Sequence, residues 1–360
     1  MEGICQPRRE TRTINVGRIP VGGGAPISVQ SMTTTDTRDV WATIQQLREL
    51  SAAGCDIARV AVPDMEAAEA LEEIMKRAPL PVVADIHFDY RLAIKAADAG
   101  ISALRFNPGN IGRSQRVREL VAAARHHSIP IRIGVNGGSV EKRLMKGHEG
   151  EATPEMLVES AMHHVHILEE ENFEDIKISV KSSQVPVMVK AYQLLADRVP
   201  YALHLGVTEA GTPRLGAVRS AIGLSTLLTQ GIGDTIRVSL TADPTEEVAV
   251  GIGILTDLGI RQGGISLVSC PTCGRCTVDM ISATERVEKR LQGIKGDVRV
   301  AVMGCEVNGP GEAKAADVAI AYGHGVALLV KKGEIVGRVD PDKAEDVLIE
   351  EVKALSEAQQ

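Results

Sequence analysis

The chain has 360 residues, 47 acidic against 40 basic side chains, 44% hydrophobic residues and only 2% aromatic ones. That length fits one large α/β domain plus a smaller one, and the acidic balance with few aromatics leaves no general case for nucleic-acid binding. The N-terminus lacks the apolar stretch of a secretory signal, and apolar runs such as 248–255 are too short to span a bilayer, so a cytoplasmic setting without a membrane partner is expected.

Short β-branched runs near 27–30, 56–61, 81–85, 103–106, 131–134, 175–180, 201–206 and 235–240 alternate with helical patterns. Strands separated by helices predict a parallel sheet with crossover helices, and eight such units match a closed (β/α)8 TIM-type barrel. The helices carry the expected period. Val40, Ile44 and Leu47 line one face before a stop at Gly54, and Met65, Ala68, Leu71 and Met75 line another. Leu157, Ala161, Val165 and Leu168 line a third, behind Thr153 and Pro154 as cap and first-turn residue. On that helix Glu159, His163, His166 and Glu170 fall on the opposite side, which reads as a solvated face rather than a metal site. The connection after the fifth strand, with Gly137, Gly138 and the charged stretch 141–148, is unusually long and reads equally as a lid or as a solvated charged loop.

Near 241–244 the pattern changes. A helix over about 245–258 leads to a short strand ending at Cys270. A helix near 279–292, a strand near 298–302, and strands at 318–321, 326–330 and 335–339 precede a closing helix after Pro341. The expected division is a barrel over residues 1–243 and an α+β domain over 244–360.

Barrel enzymes carry their chemistry at the C-terminal ends of the strands. Here those ends hold Arg59, then Asp85 and His87, then Arg105 and Asn107. Arg132 and Asn136 follow, then Lys181, then His204, Thr208 and Glu209, then Ser239. Three arginines and a lysine aimed at one mouth suit a polyanion, because guanidinium forks pair with phosphate oxygens and an ammonium adds a point charge. In a chain that is acidic overall, the basicity is local. Neither the dinucleotide fingerprint nor a P-loop lies in a strand–turn–helix context, which disfavours a nicotinamide or ATP enzyme.

Cys270, Cys273 and Cys276 lie in Ser-Cys-Pro-Thr-Cys-Gly-Arg-Cys, and Cys305 in Gly-Cys-Glu-Val-Asn-Gly-Pro-Gly-Glu; Cys5 and Cys55 lie elsewhere. Without a secretory signal, grouped thiols favour a soft metal or an iron–sulfur cluster over disulfides. Two close ligand pairs, the usual mark of structural zinc, are missing, since Cys305 has no nearby Cys or His. A fourth ligand is then needed, and spacing leaves it open between Cys276 and an oxygen from Glu306 or Glu312.

These motifs, with Val-Gln-Ser-Met-Thr-Thr-Thr-Asp-Thr-Arg, Ala-Asp-Ile-His-Phe, Arg-Phe-Asn-Pro-Gly-Asn-Ile-Gly and Ile-Arg-Ile-Gly-Val-Asn-Gly-Gly-Ser, resemble the bacterial hydroxymethylbutenyl diphosphate synthase family over nearly the whole chain. The resemblance implies one [4Fe–4S] cluster per chain, held by Cys270, Cys273, Cys305 and Glu312. Cys276 is then a spare thiol and a departure from the commonest family pattern. It implies reductive opening and dehydration of methylerythritol 2,4-cyclodiphosphate, fed by reduced flavodoxin or ferredoxin. It also implies substrate contacts from Arg59, Arg105, Arg132, Asn136, Lys181 and Ser239, a proton-donor role for Glu209, and a head-to-tail homodimer. Asp85, His87 and His204 are placed on the same rim. Two other readings compete: a barrel enzyme on a phosphorylated or pterin-like substrate with a purely structural metal domain, and a metal-dependent sensor. The second lacks any basic stripe or recognition motif.

Overall fold

Residues 4–110, 114–141, 143–262, 264–291, 293–294, 296–305 and 307–359 are described by the computed structural model of the chain. An antiparallel hairpin, β1 (Ile14–Val16) and β2 (Ile19–Val21), comes first. Sequence reading did not anticipate it, because three-residue strands carry too little alternation to register. Its apolar residues Ile14, Val16 and Val21 pack against Ile57, Val83, Ala103 and Ala202, which seals the N-terminal end of the barrel interior.

The barrel closes in the order β10-β3-β4-β5-β6-β7-β8-β9, all parallel. Its strands are β3 (Ser28–Met32), β4 (Ile57–Ala61), β5 (Val82–Asp85), β6 (Ala103–Arg105), β7 (Ile131–Asn136), β8 (Ile176–Lys181), β9 (Ala202–Leu205) and β10 (Thr235–Ile236). All eight fall on the expected runs, because strands buried on both faces read as near-continuous apolar segments.

The outer helices are α1 (Val40–Ala52), α2 (Met65–Met75), α3 (Tyr90–Asp98), α4 (Ser114–His126), α5 (Pro154–Glu170), α6 (Val185–Ala196), α7 (Pro213–Leu228) and α8 (Pro244–Asp257). Side chains of Asp39, Asp64, Asp89, Thr153 and Asp243 accept backbone N–H bonds at their starts, and proline opens α5, α7 and α8. On α5, His163 and His166 are exposed, as their polar face predicts.

The compact units divide at Arg261/Gln262 rather than at 243/244. The helix assigned from sequence to the second domain is the barrel's eighth crossover. Its buried residues Val248, Gly251, Ile254 and Leu255 join the barrel core, and a Cβ on Gly251 would touch Val29 at 3.1 Å.

The second unit is a mixed sheet, β11-β12-β13-β14-β15. Strands β11 (Gly264–Ser269), β12 (Asp297–Met303) and β13 (Val318–Tyr322) run parallel, while β14 (Ala327–Lys331) and β15 (Glu334–Val339) return antiparallel. Helices α9 (Met280–Leu291) and α11 (Ala344–Glu357) contribute Met280, Val287, Leu348 and Val352 to one core with Val298, Val300 and Val302. Met303, Ala301 and Ala319 belong to a second, smaller core. Between β12 and β13 lies α10 (Gly309–Glu312), one turn long and missed by sequence reading. Among the described residues no helix is long and apolar enough to cross a membrane.

Candidate active site

The C-terminal mouth of the barrel is a polar opening lined by Arg59, Arg105, Arg132, Gly134, Asn136, Ser179, Lys181, Thr208 and Arg237. Five cations therefore face one opening. Arg105 and Lys181 end their strands, Arg59 and Arg132 lie further back on β4 and β7, and Arg237 follows β10; alternation along the strands brings their side chains together. Arg105 and Arg132 are register partners on β6 and β7. Two glycines make room. A Cβ on Gly134 would approach Arg105 Nε to 2.7 Å, and one on Gly206 would approach Lys181 Nζ to 2.6 Å.

Two carboxylates offset part of this charge. Asp85 lies 3.2 Å from Arg105 Nη1 and 3.7 Å from Arg59 Nε, and it is buried. Burial alone would raise its pKa, but Arg59, then the His87 hydrogen bond, then Arg105 and Arg132 hold it well below the usual carboxylate range. Glu247 on α8 takes Arg237 at 3.2 Å and accepts bonds from Ser31 Oγ at 2.8 Å and Leu240 N at 3.0 Å.

The remaining positive charge is poorly matched. Burial first, then repulsion from Arg59 and Arg105, pushes the Arg132 pKa well below its ordinary value. Burial, then Arg237 and Arg132, does the same to Lys181. Arg59 is pushed down to about 10, chiefly by burial. Arg132 gives one N–H to Ser179 Oγ at 3.1 Å, while its Nε and Nη2 have no partner among the described residues. Buried donors left in this state cost about 1–3 kcal/mol each. The mouth is arranged to receive an anion.

Six of the residues expected at the rim line this cavity: Arg59, Arg105, Arg132, Asn136, Lys181 and Thr208. Asp85 acts behind them as the clamp on Arg59 and Arg105. His87, half-exposed, stacks its ring nitrogens 3.2 Å from Arg105 Nη1. Ser239 is half-buried beyond β10 and is not among the lining residues. His204 requires a correction. It is fully buried, one inward position before Gly206, with Nδ1 2.6 Å from Thr235 Oγ1, so it lies beneath the rim. Glu209 is exposed, with a φ of 53°. A non-glycine residue in the left-handed region is strained, and such strain collects at functional sites. Arg237 was missed by sequence reading. Its signal was there, since it alternates with Ser239 on the same strand run.

In the second unit, β11 and β12 pair in parallel up to Ser269 and Val302, so the two cysteine segments leave the sheet side by side. Cys270 N donates to Val302 O at 3.2 Å, Gly304 N to Cys270 Sγ at 3.3 Å, and Thr277 N to Gly304 O at 3.1 Å. The turn from Cys273 to Cys276 is closed by a 3.0 Å backbone bond, and its preceding Thr272 has a φ of 60°, unusual for a β-branched residue. The Cys305 thiol is drawn down by the amide of Asn308, against burial, with further help from Gly309, Val307 and the Arg275 side chain. For Cys276 the Cys273 amide favours the thiolate, but burial and the nearby Cys270 and Cys273 sulfurs outweigh it and raise the pKa. Glu312 ends α10, exposed, and Glu306 lies outside the described residues, as does Lys142 of the long connection.

Among the described residues no three His, Cys, Asp or Glu side chains converge on a single-ion site. The donor chemistry nonetheless suits a soft iron–sulfur group: thiols from two adjacent strand ends, with Cys270 and Cys305 each receiving backbone N–H bonds.

Residues 11–252 match the GcpE TIM-barrel domain and residues 266–354 the GcpE protein C-terminal domain. The chain belongs to the GcpE family. It is 58% identical to a 4-hydroxy-3-methylbut-2-en-1-yl diphosphate synthase (flavodoxin) of Geobacter sulfurreducens, over 97% of this chain and 98% of that protein. With the enzyme of the same name from Clostridium perfringens it shares 54% identity over 97% and 99%. Among solved structures, a Yersinia pestis dihydropteroate synthase matches with a TM-score of 0.48 and 12% identity, over 69% of this chain and 97% of that one. The GcpE barrel and C-terminal domains thus correspond to the two units described above.

Proposed function

We propose that the barrel mouth binds the diphosphate of 2-C-methyl-D-erythritol 2,4-cyclodiphosphate, and that Cys270, Cys273, Cys305 and Glu312 hold one [4Fe–4S] cluster per chain. The chain is an iron–sulfur oxidoreductase of isoprenoid biosynthesis, and the reaction is reductive opening and dehydration of that substrate to 4-hydroxy-3-methylbut-2-enyl diphosphate. Reduced flavodoxin, the donor in the relatives' names, is the electron source proposed here, with ferredoxin as the alternative.

The observation that carries the phosphate reading is the surplus of buried cations at the mouth over the two carboxylates that face them. Arg132 offers two N–H groups toward phosphate oxygens. Arg59 and Arg105, held by Asp85, and Lys181, beside Gly206, add charge at fixed positions. Fixed donors in a water-poor site stabilise developing charge without reorganisation. Asn136 and Ser239 complete the proposed substrate contacts. Glu209, on its strained backbone, supplies the proton that leaves with the hydroxyl as water. The cluster these residues would hold would relay the two electrons one at a time from the donor, and a carboxylate ligand, harder than thiolate, would exchange more readily than the three thiolates.

A head-to-tail homodimer, in which one chain's cluster serves the other chain's mouth, is part of this reading, as is a cytoplasmic location. The test of the phosphate site is calorimetric titration of the cyclodiphosphate into the anaerobic protein at two salt concentrations. Saturable binding that weakens with salt is expected. Binding that ignores salt would contradict an electrostatic site.

A further inference from the structure

Between the apolar floor formed by the hairpin and the cationic mouth, the barrel interior is polar. Lys177 on β8 lies one inward position before Ser179 and two before Lys181, and it pairs in register with Arg132 on β7. It is 1% exposed, and its Nζ has no hydrogen-bond partner among the described residues. The same holds for His204 Nε2, Ser28 Oγ and both amide atoms of Gln30. Buried polar groups without a protein partner are commonly met by internal water. Asp234, the carboxylate that acts on Lys177, is already engaged by Arg8 at 2.7 Å and by Leu203 N at 2.8 Å.

An ammonium in this position works against stability. Apolar side chains of similar volume fill such interiors at no electrostatic cost, as Ile57 and Val83 do at the floor. A residue that weakens the fold without a structural partner is a candidate for function. Reaction stoichiometry supplies one. The proposed cyclic diphosphate carries two ionised oxygens, and the open diphosphate carries three. The cyclic dianion, two electrons and one proton give the open trianion and water. Two carbon–oxygen bonds break, one to the diphosphate and one to the hydroxyl, and a carbon–carbon double bond forms. The mouth must therefore accommodate one more negative charge after ring opening than before.

We propose that Lys177 is a positioning residue for this reaction, a reserve cation beside Arg132 and below Lys181 that takes up a proton from solvent as the ring opens and so balances the charge gained by the diphosphate. This rests on the phosphate-site reading above. Burial first, then Arg132, with Asp234 opposing, brings the Lys177 pKa down to about 7, so it is poised to change charge when an anion arrives. The charged and titratable groups facing it are Arg132 on β7, Lys181 above it on β8, His204 on β9 and Asp234 just before β10. His204 is held neutral, by burial first and then by Lys181 and Arg132. Lys181 is the rival proton acceptor, and the test separates the two.

Proton uptake is measured by calorimetry near pH 8, in buffers of different ionisation enthalpy, on the anaerobic cluster-loaded protein. The cyclodiphosphate and the open product are titrated separately. The native protein is expected to take up more protons with the product than with the cyclodiphosphate. Lys177→Met abolishes that difference, weakens product binding about tenfold relative to the cyclodiphosphate, and raises the melting temperature. Lys177→Arg, permanently charged, abolishes the uptake difference yet keeps product affinity, which a merely structural lysine would not do. It decides the matter if the methionine variant fails to fold. An uptake difference that survives in the Lys177 variants, or is missing from the native protein, overturns the proposal. A native protein that binds neither ligand overturns the phosphate-site reading itself, and Lys177's role with it.

Discussion

Arg132→Met tests the anion site in two directions at once. In the native protein Arg132 is 2% exposed, bonded once to Ser179, and crowded by Arg59 and Arg105. Its Nε and Nη2 are the donors proposed to meet phosphate oxygens. Charge-assisted bonds contribute about 1.5–3 kcal/mol each. Allowing for partial replacement by the neighbouring guanidiniums, their loss costs about 3 kcal/mol, or about 100-fold in Kd for the cyclodiphosphate. The free protein moves the other way. Removing an under-satisfied buried cation is neutral or stabilising by about 1–4 kcal/mol, so the melting temperature holds or rises. Anaerobic calorimetry gives the affinity, and a thermal melt of the same sample gives the stability. Unchanged affinity would refute the phosphate assignment. Weaker binding together with a lower melting temperature would show that Arg132 supports the fold instead.

Asp85→Asn is expected to cost about 3–5 kcal/mol at neutral pH, because Arg59 and Arg105 lose their buried partner. Asp85's pKa is depressed in the fold, so its contribution is complete above the ordinary aspartate value and is lost as pH falls toward the folded one. Melts of the two proteins should differ widely at pH 7 and begin to converge only as pH falls below about 4. Glu312→Ala is expected to abolish turnover with the barrel's substrate affinity intact; retained turnover would favour a purely structural metal domain. Cys276→Ser is expected to keep about four irons and four sulfides per chain, measured after anaerobic purification, and a colourless product would make Cys276 a ligand. Mixing Arg132→Met chains with Cys305→Ser chains should restore part of the turnover if a cluster serves the mouth of another chain. Mixtures that stay inactive after subunit exchange count against the head-to-tail dimer.

Much of the fold was legible because a barrel imposes one local rule eight times. Each strand is buried on both faces, so runs such as 131–134 and 175–180 stand out as apolar blocks between amphipathic helices. The division at 243/244 failed for a tertiary reason. The helix Pro244–Asp257 has an ordinary apolar stripe, and nothing local says that the stripe closes a barrel rather than opening a new domain. At the site, cations at strand ends announced themselves by residue type. Depth did not: His204 reads like a rim residue, but an inward residue one step earlier on a strand is fully buried. Arg237 shares the alternation of Ser239 two residues on, and the lining of the mouth and its bond to Glu247 on α8 show where it points. Around the cysteines, spacing located the donors but could not choose between Cys276 and a carboxylate, since both choices lie on short loops joined by β11 and β12.

The most direct measurement is the anaerobic crystal structure of the cluster-loaded protein with the cyclodiphosphate. Both phosphorus atoms are predicted among Arg59, Arg105, Arg132 and Lys181, with phosphate oxygens within hydrogen-bond distance of Arg132 Nε and Nη2. A diphosphate bound elsewhere, with those two nitrogens still lacking partners, would contradict the account.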